Sequence, residues 1–175
     1  EMLWRNKRGE VLAVEVSVEP NTLNETPCLL LTARDVSLLK NAQAQIRHLA
    51  YHDPLTSLPN RALLMDRLSQ QIALLNRHDL RGALRFLDLD HFKAINDRHG
   101  HAIGDDVLRG IAGVIRASLP EDSHAGRLGG DEFAIVMPVA AEQAHGIAEG
   151  IRIGVATLDL PTLPSLRSSV SIGSA

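Results

Sequence analysis

Apolar and polar residues alternate strictly from Leu12 to Glu19. Leu12, Val14, Val16 and Val18 fall on one face, and Ala13, Glu15, Ser17 and Glu19 on the other. Period two marks a half-buried strand. Turn-forming residues bracket it, Asn6-Lys7-Arg8-Gly9-Glu10 before and the Pro20 to Pro27 stretch after. Cys28 to Arg34 is expected to be the partner strand, with Cys28 a buried, unreactive thiol among Leu29 to Leu31. Asp35 and Ser37 are candidate caps for a helix in which Leu39, Ala42, Ile46 and Leu49 recur at three- and four-residue spacing. That stripe suits the seam of a two-helix coil or packing against its own domain.

The periodicity changes after Asn60, the expected cap of a second helix with Leu64, Leu68, Ile72 and Leu75 on one face. Gly82 introduces a strand, Ala83 to Leu89, whose apolar run ends in Asp88-Leu89-Asp90. Helical pattern resumes near Phe92 and again from about Asp105 to Leu119, with Leu108, Ile111 and Ile115 inward. Strands at Ala125 to Leu128 and Glu132 to Pro138 flank Gly129-Gly130, which is a hairpin signal. Ala140 to about Thr157 reads as a helix, Pro161 and Pro164 as a loop, and Ser168 to Ser174 as a last strand. The order predicts an α/β (α+β) fold, with helices covering one or both faces of a mixed or antiparallel sheet.

Composition narrows the class. A chain of 175 residues is slightly more than one domain at about 150 residues each. With 45% hydrophobic and 22% charged residues it can bury a core, which excludes disorder and collagen-like repeats. Eighteen Lys and Arg against 21 Asp and Glu leave a net charge of -3, so no basic field invites nucleic acid. Trp4, Tyr51 and the three phenylalanines are too few and scattered for a base-stacking platform. No apolar run is long enough to span a bilayer, and no signal peptide is expected. One cysteine cannot form an internal disulfide, which fits a cytoplasmic location. His99 and His101 flank Gly100 without a third ligand at zinc spacing.

Chemistry concentrates where apolar strands end. Asp88 and Asp90 share a strand face, and Asp131-Glu132 sit on the glycine hairpin. Taken singly, each pair reads as ordinary loop acids. If the strands are neighbours, four carboxylates converge, and such a cluster is unfavourable without a cation. Oxygen-only donors favour Mg²⁺ or Mn²⁺. Lys93 can neutralise phosphate, while Asn96 and Asp105 offer the carbonyl and carboxylate that guanine's N1–H and N2–H₂ donors require. Adenine would leave that carboxylate desolvated and unpaired.

These residues fall in ordered motifs. Gly129-Gly130-Asp131-Glu132-Phe133, preceded by Arg127, is the GGDEF signature. Phe86 to Asp97 resembles that family's FxDxDxFKxxND block, Gly100 to Asp105 its GHxxGD, and Asp53 to Arg61 its DxLTxLxNR. From about His52 the chain resembles a diguanylate cyclase domain. The resemblance implies a βααββαβ-type fold similar to nucleotide cyclases and polymerase palms, and condensation of two GTP into cyclic di-GMP with loss of two pyrophosphates. It implies that Asp88, the Leu89 carbonyl and Asp131 hold Mg²⁺. Glu132 would be a second-metal ligand or would help deprotonate the 3′-hydroxyl. Asn96 and Asp105 would bind guanine, and amides near His91 and Phe92, with Lys93, would meet phosphate. Asp131, Glu132 and Lys93 are the implied catalytic residues. One GTP per domain implies a homodimer. Another reading is a GTP-binding regulatory module without turnover, serving a downstream cyclic di-GMP phosphodiesterase domain; a third is a dimerising sensory fragment.

Two features depart from the family's pattern. The stretch where many members carry an RxxD product-inhibition site reads Pro120-Glu121-Asp122-Ser123, with acids in place of an anion-binding arginine. The family continues beyond a strand like Val170-Ser171-Ile172-Gly173 into a helix whose lysine and arginine grip the triphosphate, so turnover is expected to need chain beyond Ala175. The N-terminal strands resemble the end of a PAS sensor domain, with Thr32 to Ser37 similar to that family's exit into a signalling helix. The expected organisation is therefore a PAS-like tail at 1–36, a linker helix at 37–51 and a GGDEF domain at 52–175.

Overall fold

A computed structural model describes residues 2–23, 25–161 and 166–174. The chain divides into two units, residues 1–50 and 51–175. In the first, strands β1 (Met2–Arg5), β2 (Val11–Leu23) and β3 (Thr26–Asp35) form an antiparallel sheet in that order. The β1–β2 turn is built by Asn6, whose side-chain oxygen accepts the Arg8 and Glu10 N–H groups at 2.9 and 3.0 Å, with Gly9 at φ +83°. β1 has no alternation and escapes a sequence reading.

β2 runs past Pro20, where a turn was expected, to Leu23. β1 pairs only with Val11 to Val14, so at Pro20 one side of β2 is an open edge that tolerates a missing N–H. The part of the Pro20 to Pro27 stretch at residue 24 lies outside the described residues. Cys28 is exposed rather than buried. It stands on β3, an edge strand exposed along its whole length, Leu29 to Leu31 included, so the expected apolar cover is not present. Helix α1 (Ser37–Tyr51) follows directly: Asp35 Oδ1 accepts the Ser37 N–H, and Ser37 Oγ accepts the Ala13 N–H at 2.9 Å. α1 buries none of its residues, so its stripe is not packed against its own unit.

The second unit contains α2 (Arg61–His78), β4 (Ala83–Leu89), α3 (Phe92–His99), α4 (His101–Ser118), β5 (His124–Gly129), β6 (Glu132–Met137), α5 (Ala141–Ala156) and β7 (Val170–Ser174). From β4 onward this is the expected βααββαβ order. The sheet is wholly antiparallel with strand order β5-β6-β4-β7. The loop expected between Pro161 and Pro164 lies mostly outside the described residues.

Alternation sends the strands' apolar residues to both faces. Leu87, Leu89, Phe133, Ile135 and Met137 join Val107, Ile111, Ile115, Ile151 and Val155 in the larger core, on the side of α4 and α5. Each of the five helical residues is at 0% exposure, worth about 1.5–3 kcal/mol of burial apiece. Ala134 and Val136 meet Leu64 of α2 in a smaller core on the other face. That smaller core leaves space beside it, which defines the site.

α4 begins at His101, four residues before the expected start near Asp105. Gly100, at φ +84°, ends α3 and opens α4. Gly104, a poor helix former, hides that first turn from propensity.

Candidate active site

The strand register places Asp88 directly opposite Glu132, with Ser171 on the other flank of Asp88. Directly opposed residues share a face. Both carboxylates therefore project to the α2 side, where they line a cavity of about 760 Å³. Its apolar wall is made by Leu64 and Leu68 of α2 with Leu84 and Phe86 of β4. Two like charges facing each other across a ladder oppose folding unless a positive group joins them.

Asp131 sits in the turn between β5 and β6, which the glycines make possible: Gly130 has φ +52°, and the ladder is irregular between Arg127 and Gly129. Arg127 fixes this turn from behind. Its Nε and Nη2 donate to the Gly130 carbonyl at 3.0 and 2.6 Å, and its Nη1 reaches both Asp53 oxygens at 3.0 and 3.1 Å. Asp53 also accepts the Thr56 N–H and hydroxyl at 2.8 and 2.6 Å. Burial pushes the Asp53 carboxyl up, but Thr56 and Arg127 outweigh it and hold the group below the usual carboxylate range. The Pro59 carbonyl accepts the Arg127 N–H at 2.9 Å, and Asn60 N–H bonds the Tyr51 carbonyl at 2.9 Å. The DxLT-type turn and the signature hairpin are thus one hydrogen-bonded assembly.

Asp90 does not join the acidic group. It accepts the Ser169 and Ser171 hydroxyls at 2.6 and 2.7 Å, and these bonds hold its carboxyl low. The expected convergence of four carboxylates is corrected on this point: two serine donors, Ser169 just before β7 and Ser171 on it, turn Asp90 toward that strand. Among the described residues no three His, Cys, Asp or Glu side chains stand together as a ready ligand group. The facing pair Asp88 and Glu132, with Asp131 at the adjacent turn, still suits Mg²⁺, which commonly takes one or two carboxylates and fills its remaining positions with water and substrate phosphate.

The remaining predicted residues lie on α3 and α4. His91, at φ +58°, precedes α3, and no side chain caps that helix. The N–H groups of its first turn, at Phe92 and Lys93, have no partner within the helix. Lys93 is exposed there. Asn96 is on α3 and Asp105 on α4, both half-buried. The Asn96 side-chain oxygen is buried without a hydrogen-bond partner. It occupies the space above Gly104: a Cβ there would overlap Asn96 Oδ1 and stand 3.0 Å from Asn96 Cγ. A buried acceptor without a donor costs about 1–3 kcal/mol, which a ligand N–H would recover.

A family model described as "Diguanylate cyclase, GGDEF domain" matches residues 50–175. The chain belongs to the GGDEF family. Its GGDEF domain is similar to that of diguanylate cyclase TpbB from Pseudomonas aeruginosa, 44% identical over 133 residues that cover 76% of this chain and 30% of TpbB. The chain thus spans less than a third of that relative's length. Among solved structures, the coiled coil and GGDEF domain of DgcB from Caulobacter crescentus in complex with c-di-GMP superposes with a TM-score of 0.72 at 33% identity, covering 79% of this chain and 75% of that one. The solved GGDEF domain of TpbB gives a TM-score of 0.67 at 44% identity, covering 71% of this chain and 74% of that one. The GGDEF assignment agrees with the antiparallel α+β architecture. No helix among the described residues is long and apolar enough to cross a membrane.

The sequence reading gave no role to Arg61, Ser169 or Ser171, and none to Arg127 or Asp53 beyond their motifs. Arg61 was legible in principle, because it continues the Leu64, Met65, Leu68 spacing by one step toward the helix start.

Proposed function

We propose that the GGDEF domain of this chain is a diguanylate cyclase that condenses two GTP into cyclic di-GMP. The observation that carries the reading is the Asp88–Glu132 pair, opposed across β4 and β6 at one end of a nucleotide-sized cavity. The names of TpbB and of the c-di-GMP complex of DgcB support it. In each half-reaction the 3′-oxygen of one GTP bonds to the α-phosphorus of the other, and the bond to the β-phosphate oxygen breaks. Pyrophosphate departs and the 3′-hydroxyl proton is lost.

Asp88, the Leu89 carbonyl, Asp131 and Glu132 are the residues that would hold Mg²⁺ or Mn²⁺. A bound ion would offset phosphate charge and polarise the reacting phosphoryl group. Glu132 would act as a second-metal ligand or would help remove the 3′-hydroxyl proton. Asn96 and Asp105 read guanine, and the first turn of α3 with His91, Phe92 and Lys93 receives phosphate. Each domain presents one such half-site, so a homodimer assembles the pair. Residues 1–36 are read as the end of a PAS-like sensor, joined by a linker helix at 37–51, in a cytoplasmic protein.

Incubation with GTP and Mg²⁺, followed by chromatography for cyclic di-GMP, tests this reading in a protein extended beyond Ala175. Product from the wild type is expected, and its loss in Asp131→Ala and Glu132→Ala with the fold retained by circular dichroism. GTP bound by the wild type without product would replace the cyclase with a GTP-binding regulatory module.

A further inference from the structure

The sheet-facing stripe of α2 starts with a charge. Arg61, Leu64, Met65 and Leu68, at i, i+3, i+4 and i+7, all line the cavity that holds Asp88 and Glu132. The direction of the helix is fixed by its far end: a Cβ added at Gly82, just before β4, would come within 2.6 Å of Leu75 Cδ1, and Leu75 lines a second cavity with Ala83 and Met137. The end of α2 thus lies where β4 starts and β6 ends, and its start points to the hairpin end of the sheet. Glu132 opens β6 there, with Asp88 opposite it. Arg61 is the cation of the cavity's lining, at its acidic end.

Helix stability does not explain this arginine. A cation in the first turn opposes the helix macrodipole, and the first turn of α2 contains no acid to offset it. Asn60 already caps the helix by accepting the Leu63 N–H at 3.1 Å. Arg61 is exposed and is in none of the ion pairs among the described residues. A strongly hydrogen-bonding cation thus lines the same cavity as two carboxylates without pairing to either. A polyanion held at these carboxylates with a bound metal ion would offer negative oxygens that a guanidinium fork suits.

We infer that Arg61 is a phosphate-binding residue for the triphosphate tail of the nucleotide, acting together with Lys93 of α3. The inference rests on the proposed cyclase reading. It gives the β- and γ-phosphates a cation from this chain's own α2.

The test is equilibrium binding, in Mg²⁺, of 3′-deoxy-GTP, which lacks the attacking hydroxyl and is not turned over, compared with GMP. Arg61→Met keeps the apolar stem and removes the charge. It is expected to weaken 3′-deoxy-GTP about tenfold or more, the scale of a lost charged hydrogen bond, and GMP less than about twofold. Arg61→Lys should recover part of the loss, and Asn96→Ala should weaken both nucleotides. A purely packing role for Arg61 predicts no split between the two ligands for Arg61→Met. Wild-type affinity of Arg61→Met for 3′-deoxy-GTP, or an equal loss for both nucleotides, overturns the inference and leaves the cyclase reading standing. No binding of 3′-deoxy-GTP by the wild type, in a protein shown folded, overturns both.

Discussion

Alanine at Gly104 is expected to remove guanine recognition while leaving its helix intact. Gly104 lies inside α4 and is not among the residues with positive φ, so an L side chain fits the backbone. Alanine favours a helix interior over glycine by up to about 1 kcal/mol. Against that gain, the new methyl would overlap Asn96 Oδ1, with Asn96 Cγ at 3.0 Å and Phe92 Cε2 at 3.2 Å. The Asn96 amide is the movable partner, and swinging it aside costs less than displacing backbone. Stability should therefore change by no more than about 1 kcal/mol. The amide oxygen, however, leaves the place from which it would accept a guanine N–H. An abandoned hydrogen bond with its donor unpaired costs about 1–3 kcal/mol, or about 5- to 150-fold in affinity. Calorimetric titration of 3′-deoxy-GTP into wild type, Gly104→Ala, Asn96→Ala and the double variant measures this. Both single variants should lose similar affinity, and the double should lose no more than either, because the methyl then has no amide to displace. Wild-type affinity in Gly104→Ala alongside a large loss in Asn96→Ala, or losses that multiply in the double variant, would refute the steric argument.

Two further outcomes follow from the same geometry. The Asp53–Arg127 pair is mostly shielded, with side-chain exposures of 18% and 12%, and its removal by Asp53→Asn is expected to cost about 1–3 kcal/mol in urea unfolding at pH 7, between exposed and buried limits. Because the folded carboxyl lies below its unfolded value near 3.9, this contribution is full above that pH and vanishes as pH falls through the folded value. The wild-type advantage over Asp53→Asn should thus shrink below about pH 4; a constant gap down to pH 2 would show that Asp53 acts without its charge. Cyclic di-GMP is expected not to bind at Pro120 to Ser123, where Glu121 and Asp122 repel phosphate, and micromolar binding abolished by substitutions there would contradict this.

The unit from Tyr51 onward was largely legible because its signals are redundant. β4 closes and β6 opens on acids, glycines separate β5 from β6, and α4 carries a clear stripe of Leu108, Ile111 and Ile115. What failed was decided by neighbours distant in sequence. Asp90 shares the pattern of Asp88, yet serines 79 and 81 residues away turn it to β7. The start of α4 was obscured by Gly104, a glycine required by Asn96 rather than by the helix. In the first unit, alternation located β2 but not its length, since Pro20 reads as a terminator until one knows that β1 has already ended beside it. Cys28 illustrates the converse: three leucines beside it predict burial, but burial needs a covering layer, and nothing in a local pattern says whether one exists.

Three local rules of stability are broken in the second unit at positions for which the proposed reaction has a use. Asp88 and Glu132 stand as like charges directly opposed across a ladder. Asn96 buries an acceptor without a donor. Arg61 opens a helix with the sign that its dipole disfavours. Asp90 is the internal control: an acid just past the end of β4, two residues from Asp88, is paired by two serine hydroxyls. The fold can therefore satisfy such groups when only stability is at stake. A divalent cation would relieve the first violation, a guanine N–H the second and a phosphate the third. Magnesium-bound GTP carries all three groups, and this economy is the strongest physical reason to read the cavity as a nucleotide site rather than as a gap beside a small core.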